Sequence, residues 1–348
     1  MSKMILETLI VAVLCLGASV LIFMAVDDNG VALASDDNGE PMFLGSQRRF
    51  SGQNAGPMEG VGDVERMLLH GGLTRSYLVH MPQGRVANQP LPVMLAFHGG
   101  GGRAAGMRVM SRLNEAADRF GFLVVYPNGT GRMNLLTFNA GTCCGFAARN
   151  QVDDVGFVRA LLADLPNHYQ VDPKRIYATG LSNGAMLCYR LACELADKIA
   201  GIAPIAGGMG VDGPMPSRPV PIIHFHGLKD RNVPFLGGVG ENAIDRVAHR
   251  PVSSAINFWI QANNCQAEPV ESKQYPDYTL TRFEPAPGQK GAPIAVYALT
   301  EGGHNWPGGV DTTARLGTGR LIQSVDSDAI MWNFFEKQIP ASPPRGRQ

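Results

Sequence analysis

The stretch Arg175-Ile176-Tyr177-Ala178-Thr179-Gly180-Leu181-Ser182-Asn183-Gly184-Ala185-Met186 changes character twice within twelve residues. Residues 175–179 read as a short strand and 185–197 as a helix, so a G-x-S-x-G pentapeptide has to carry the chain from one to the other. Glycines on both sides of a serine allow a sharp turn and a close approach of strand to helix. Ser182 then sits on the bend with its hydroxyl exposed and a helix N-terminus beneath it, the setting of an activated nucleophile.

Working outward, strands and helices alternate. Residues 64–69 and 76–81 are strand-like and joined by Gly71-Gly72, an opening hairpin. The run 92–97 is continuously apolar, as a strand buried on both faces would be, and 122–126 repeats the pattern. Helical spacing covers 104–120, and Asp154 is expected to cap a helix in which Val155, Val158, Leu162 and Leu165 share a face. Short strands are expected at 202–206, 220–225 and 294–299, with helices around Val252–Ile260 and over 326–337. This order predicts an α/β fold with a mostly parallel central sheet and helices on both faces.

A serine hydroxyl needs a base, and in this chain order the base is a histidine in a loop after a late strand. His304 lies in Gly302-Gly303-His304-Asn305-Trp306-Pro307-Gly308-Gly309, directly after 294–299. His224 and His226 stand at a strand end and read as structural. The carboxylate that orients the base is expected at Asp230, in the turn after 220–225. Asp311 follows His304, and Asp212 follows no clear strand end, so both fit the order less well. Two backbone N–H groups should hold the developing oxyanion: that of Asn183, and one from His98-Gly99-Gly100-Gly101-Gly102, with Gly100 first and Gly99 next. The long segment 128–153, which carries Cys143 and Cys144, either lines the acyl pocket or forms a surface loop. Trp306 is read either as a pocket wall or as a packing residue. Neither a metal nor an organic cofactor is required by this constellation.

The remaining features bound the setting. Of 348 residues 17% are charged, and the formal net charge is zero, which argues against a nucleic-acid partner. Lys3 precedes an uncharged apolar run at 9–26, and Ala32-Leu33-Ala34 fits a small-x-small cleavage rule. Two readings stand: a secretory signal cut after Ala34, or an uncleaved membrane anchor over 8–26. Both put the rest of the chain outside the cytoplasm, extracellular or periplasmic. Residues 1–34 are therefore read as a targeting segment, 35–60 as a polar linker, 61–339 as one catalytic domain and 340–348 as a frayed tail. Of six cysteines, removal of 1–34 takes Cys15 and leaves an odd number. A disulfide from the Cys143-Cys144 loop to Cys193 is expected.

The motifs Gly180-Leu181-Ser182-Asn183-Gly184-Ala185-Met186, His98 to Gly102, Ala140-Gly141-Thr142-Cys143-Cys144-Gly145, Val152-Asp153-Asp154-Val155-Gly156-Phe157, His224-Phe225-His226-Gly227 with Asp230, Val233 and Pro234, and the His304 loop resemble the poly(3-hydroxybutyrate) depolymerase-like esterases. They are also similar to the feruloyl esterases of carbohydrate esterase family one. The resemblance runs over about 64–337 and implies an α/β-hydrolase fold, ester hydrolysis, and nucleophile, acid and base at Ser182, Asp230 and His304. It implies hydroxyacid esters or oligomers as first substrate choice, with feruloyl or acetyl esters on plant polysaccharide as the alternative and acyl transfer as a further one. Relatives place a second cysteine before the histidine strand; residues 278–301 hold none, so Cys265 is not expected to pair. The chain ends shortly after the last predicted helix, which favours soluble esters over crystalline polymer.

Overall fold

A computed structural model of the chain describes residues 62–339 other than 85–88, 134, 212–214, 244–245 and 313–316, and the backbone of three short strands before them. Those strands, β1 (Phe23–Val26), β2 (Ala32–Ser35) and β3 (Pro41–Met42), form an antiparallel sheet within a unit spanning Met1–Ala55. Apart from this strand backbone, the segments expected to be signal or anchor, linker and tail lie outside the described residues. No described helix is long and apolar enough to cross a membrane.

The second unit, Gly56–Gln348, is built on a ten-stranded sheet. Its strands are β4 (Gly62–His70), β5 (Leu73–Met81), β6 (Leu91–Phe97), β7 (Leu123–Pro127), β10 (Val171–Leu181), β11 (Gly201–Ile205), β12 (Ile222–Gly227), β13 (Glu271–Gln274), β14 (Tyr278–Phe283) and β15 (Ile294–Leu299). A separate hairpin pairs β8 (Thr130–Arg132) with β9 (Leu135–Thr137), and the short helix α3 (Gly145–Arg149) follows it. The order is β13-β14-β15-β12-β11-β10-β6-β7-β5-β4. From β15 to β7 all neighbours are parallel, and antiparallel strands close both edges. The mostly parallel sheet expected from the alternation is the one observed.

Strand alternation sorts the core into two layers. Val93, Leu95 and Phe97 of β6 face the layer under α4 (Asp154–Asp164), α5 (Asn183–Glu194) and α6 (Val252–Ala262), where Leu161, Met186 and Trp259 pack. Met94 and Ala96 face the other layer, under α1 (Ala104–Ser111), α2 (Leu113–Phe120) and α7 (Ser327–Glu336), with Met107, Ala117 and Trp332. Every residue of β6, β7 and β11 is buried, which is why these strands read as unbroken apolar runs. Each fully buried aliphatic side chain contributes about 1.5–3 kcal/mol. Phe335 of α7 stacks on Tyr177 at 4.3 Å, and a Cβ at Gly201 would stand 2.7 Å from the Phe335 ring. That contact needs glycine.

The structure corrects four expectations. Residues 104–120 are two helices, not one: Arg112 adopts φ 60°, its guanidinium pairs with Glu115, and the Ser111 hydroxyl accepts from the Leu113 N–H at 3.3 Å. Asp153, not Asp154, caps α4, its Oδ1 accepting from Gly156 N–H at 2.9 Å. Asp154 lies one residue inside and is fully buried against Arg75 at 2.7 Å, where the apolar surroundings push its carboxyl above the usual range. The edge pair β13–β14 was not expected, because β13 is polar and mostly exposed and β14 buries only Leu280 and Phe283, three residues apart rather than alternating. Cys143 is bonded to Cys144, its chain neighbour, while Cys193, on α5, is a free buried thiol. Cys265 is also unpaired, its thiol donating to the Ala292 carbonyl at 3.1 Å.

Candidate active site

Parallel strands deliver their C-terminal ends to one edge of the sheet, and the loops there collect the site. One register row crosses that edge through Leu181, Ile205, Phe225 and Tyr297, on four neighbouring strands. Ser182 is the next residue after β10, Asp230 follows β12 by three residues, and His304 follows β15 by five. Three segments far apart in the chain thus end side by side.

Ser182 stands at φ 56° and ψ −118°, strained for a non-glycine residue. Its N–H donates to Ile205 O at 2.9 Å, and its carbonyl accepts the first helical bond, from Met186 N–H, at 3.0 Å. The flanking glycines are required by contact: a Cβ at Gly180 would meet the Gly184 carbonyl carbon at 2.7 Å and Phe97 O at 2.8 Å, and one at Gly184 would collide with Phe97 O as well. Asn183 opens α5, so its N–H has no acceptor within the helix. Its side chain is occupied elsewhere, accepting from Phe138 N–H at 2.7 Å and donating to Phe138 O at 2.9 Å.

The glycine loop lies against this bend. A Cβ on Gly99 would be 3.5 Å from that of Ser182, and one on Gly100 would be 3.9 Å from that of Asn183. Gly101 N–H donates to Leu136 O at 2.8 Å and Gly102 N–H to Gly99 O at 3.0 Å, so these two donors are spent holding the loop. Gly101 also needs φ +77°. His98 anchors the loop from below: Nδ1–H donates to Gly99 O at 2.7 Å and Nε2 accepts from Gly129 N–H at 3.0 Å. Burial lowers its pKa to about 4, so the ring is neutral, as those two bonds require.

Asp230 and His304 are joined directly, Nδ1–H donating to Oδ2 at 2.7 Å, with the carboxylate fully buried. Asp230 Oδ1 accepts from Asn232 and Val233 N–H, both at 2.8 Å. Burial works to raise this carboxyl, but the His304 charge and the bonds from His226 and His304 outweigh it, and the net position is well below the usual range. The two loops interlock at glycines: Lys229 N–H donates to Gly302 O at 2.9 Å, and a Cβ at Gly302 would stand 3.2 Å from Gly227 Cα.

Trp306 is 1% exposed, packs in the layer under α7, and donates from Nε1 to Asp328 at 2.9 Å. It pins the histidine loop from within. Burial pushes Asp328 up to about 8. Cys143 is buried beside Phe138 in the opposite layer, and Cys144 is partly buried against it.

A protein-family profile described as Esterase PHB depolymerase matches residues 75–211. Putative esterase NocK of Nocardia uniformis subsp. tsuyamanensis is 30% identical over 275 residues, covering 75% of this chain and 79% of that protein. The chain belongs to the PHB depolymerase-like esterase family. It is a carboxylic ester hydrolase. Feruloyl esterase B of Piromyces equi is 30% identical over 240 residues, covering 66% of this chain but 42% of its own length, so the esterase spans less than half of that relative. Acetyl xylan esterase from Aspergillus awamori superposes with a TM-score of 0.51 at 13% identity, over 74% of the esterase and all of that chain, which is a likeness of fold.

Sequence reasoning passed over several residues of this site. In sequence His98 stands only at the head of a glycine run, although a histidine ahead of glycines that must hold their shape is a signal in itself. His224 and His226 were read as structural; they sit fully buried between Tyr189 and Asp230. Their period-two spacing on a strand placed both on one face. Which face, and what stood on it, was not in the local pattern.

Proposed function

We propose that the esterase works through an acyl-enzyme on Ser182. His304 Nε2 takes the Ser182 hydroxyl proton as Oγ attacks the ester carbonyl, and Asp230 holds Nδ1–H and stabilises the imidazolium. The N–H groups of Asn183 and Gly100, with Gly99 as the alternative second donor, receive the oxyanion. The carbonyl–oxygen bond to the alcohol breaks, and the leaving alkoxide takes the proton from His304. Water then gives a proton to His304 and its hydroxyl to the acyl carbon, and Ser182 recovers its proton as the acid leaves. The observation that carries this reading is the buried 2.7 Å bond between Asp230 and His304 on the strand-end edge that also bears the Ser182 bend.

The substrate class favoured by the family description is an aliphatic hydroxyacid ester, such as a hydroxybutyrate oligomer. A second reading, a feruloyl or acetyl ester on plant polysaccharide, draws on the similarity to the Piromyces feruloyl esterase. Export rests on the apolar run at 9–26 and the Ala32-Leu33-Ala34 site, with 61–339 as the catalytic domain. The test is a panel of p-nitrophenyl esters, hydroxybutyrate oligomers and methyl ferulate, with Ser182→Ala as blank. Release of hydroxybutyrate above the blank supports the first substrate class, and ferulate release with inert oligomers replaces it with the second. Full activity in Ser182→Ala overturns the mechanism.

A further inference from the structure

Asp230 Oδ2 has a second neighbour besides His304. His226 Nε2 lies 3.4 Å from it and 2.8 Å from Val233 O. A carbonyl only accepts, so Nε2 of His226 carries the hydrogen. His226 Nδ1 is 3.2 Å from Nε2 of His224, and His224 Nδ1 is 2.9 Å from the Tyr189 hydroxyl. Both rings are fully buried, and burial drives His224 far below the usual imidazole range. Burial also raises Tyr189, which keeps its proton. For two singly protonated rings only one arrangement satisfies every contact. Tyr189 O–H donates to His224 Nδ1, His224 Nε2–H to His226 Nδ1, and His226 Nε2–H to Val233 O and Asp230. Reversing either ring would set two donors or two acceptors face to face in a dry interior, where an unsatisfied polar group is costly.

We propose that Tyr189, His224 and His226 are positioning residues: a one-way hydrogen-bond relay that fixes the His226 tautomer and so holds the Asp230 carboxylate on His304. The relay starts on α5, the helix whose N-terminus carries the Ser182 bend, so the element that presents the nucleophile also orients the acid. It rests on the proposed roles of Asp230 and His304. With Asn232 and Val233 on Oδ1 and both histidines on Oδ2, the carboxylate has no spare acceptor direction left for rotation. The His226 donor also favours the ionised form of Asp230, so that carboxylate keeps its charge when His304 holds the proton.

The test has two arms. Nitrogen-15 histidine NMR of the resting wild-type enzyme should show His224 and His226 as neutral Nε2–H tautomers, and Tyr189→Phe should disturb both. Nδ1–H tautomers or charged rings in wild type overturn the relay, whatever the chemistry of Ser182. In kinetics, His226→Leu should lower kcat by about 100-fold with KM nearly unchanged. His226→Gln, which keeps a donor near the Nε2 position, should recover most of that loss. Tyr189→Phe should cost about fivefold. Equal losses in His226→Leu and His226→Gln, or wild-type kcat in a folded His226→Leu, overturn the positioning role. If Ser182→Ala keeps its activity while the tautomers are as stated, it is the acyl-enzyme reading that fails and not the relay.

Discussion

The Ser182 bend and the Asp230–His304 pair are the two halves of the proposed site, built in opposite ways. The bend is local: strand, two glycines, serine and helix within one short stretch, its strain held by the contact of Gly180 and Gly184 with Phe97. The acid–base half draws on Tyr189, His224, His226, Asp230 and His304, from α5, β12 and two loops, and its members meet through hydrogen bonds across up to 74 positions of chain. A local device concentrates its energetic cost at one residue. A distributed device spreads it, so single changes there should be graded.

The contrast is broken hardest at Ser182, the proposed nucleophile. Ser182→Ala should lower kcat by at least about 10⁴-fold with an unchanged far-ultraviolet spectrum, read by steady-state kinetics on a short p-nitrophenyl ester. Residual activity within tenfold of wild type would move the nucleophile elsewhere. Asp230→Asn should come next, at about 10⁴-fold, because the amide imposes the wrong imidazole tautomer on His304. Gly184→Ala should act through folding, since its Cβ meets a backbone carbonyl that cannot withdraw. A loss of about 3 kcal/mol in urea unfolding is expected, and a loss under 1 kcal/mol would show that the bend is looser than it looks.

Two smaller effects read the buried neighbours on each side by pH. His98 is neutral in the folded chain down to about pH 4, whereas the unfolded chain protonates it near 6.5. The unfolded state thus binds more protons in that interval, and stability should fall as pH drops from about 6.5 to about 4, then level off. His98→Gln should be less stable at neutral pH and lose part of that slope; an identical slope would remove His98 as its source. On the other side, folded Asp328 keeps its proton up to about pH 8, well above its unfolded value of 3.8. Its contribution is complete below the unfolded value and is lost as pH rises toward about 8. Asp328→Asn keeps an acceptor for Trp306, so its stability relative to wild type should rise across that range while kcat changes less than about twofold. A flat difference across pH would show that Asp328 is already ionised in the folded enzyme.

What could be read from the chain follows the same division. The bend, the continuous apolar strands β6, β7 and β11, and the Gly71-Gly72 hairpin were legible because each is decided by neighbours in sequence: a register row pairs His70 with Leu73 as the glycines demand. The break at Arg112 was not legible, because nothing in the spacing of 104–120 marks a non-glycine residue at φ 60°. Cys143 was expected to look outward to Cys193, but a covalent partner is chosen by where the folded loop leaves each sulfur, and the loop leaves it on Cys144. Trp306 reads alike as a wall or a core residue until its Nε1–H is seen to meet Asp328.

The sequence by itself determined the fold class, the strand–bend–helix unit around Ser182 and the chain order of serine, aspartate and histidine, since backbone preference and hydrophobic period act over a few residues. The tertiary structure decided which side chains share the buried space behind Asp230. Burial forces every polar atom there to find a partner, and a partner in a parallel sheet comes from the neighbouring strand or the helix above it, at no fixed distance along the chain.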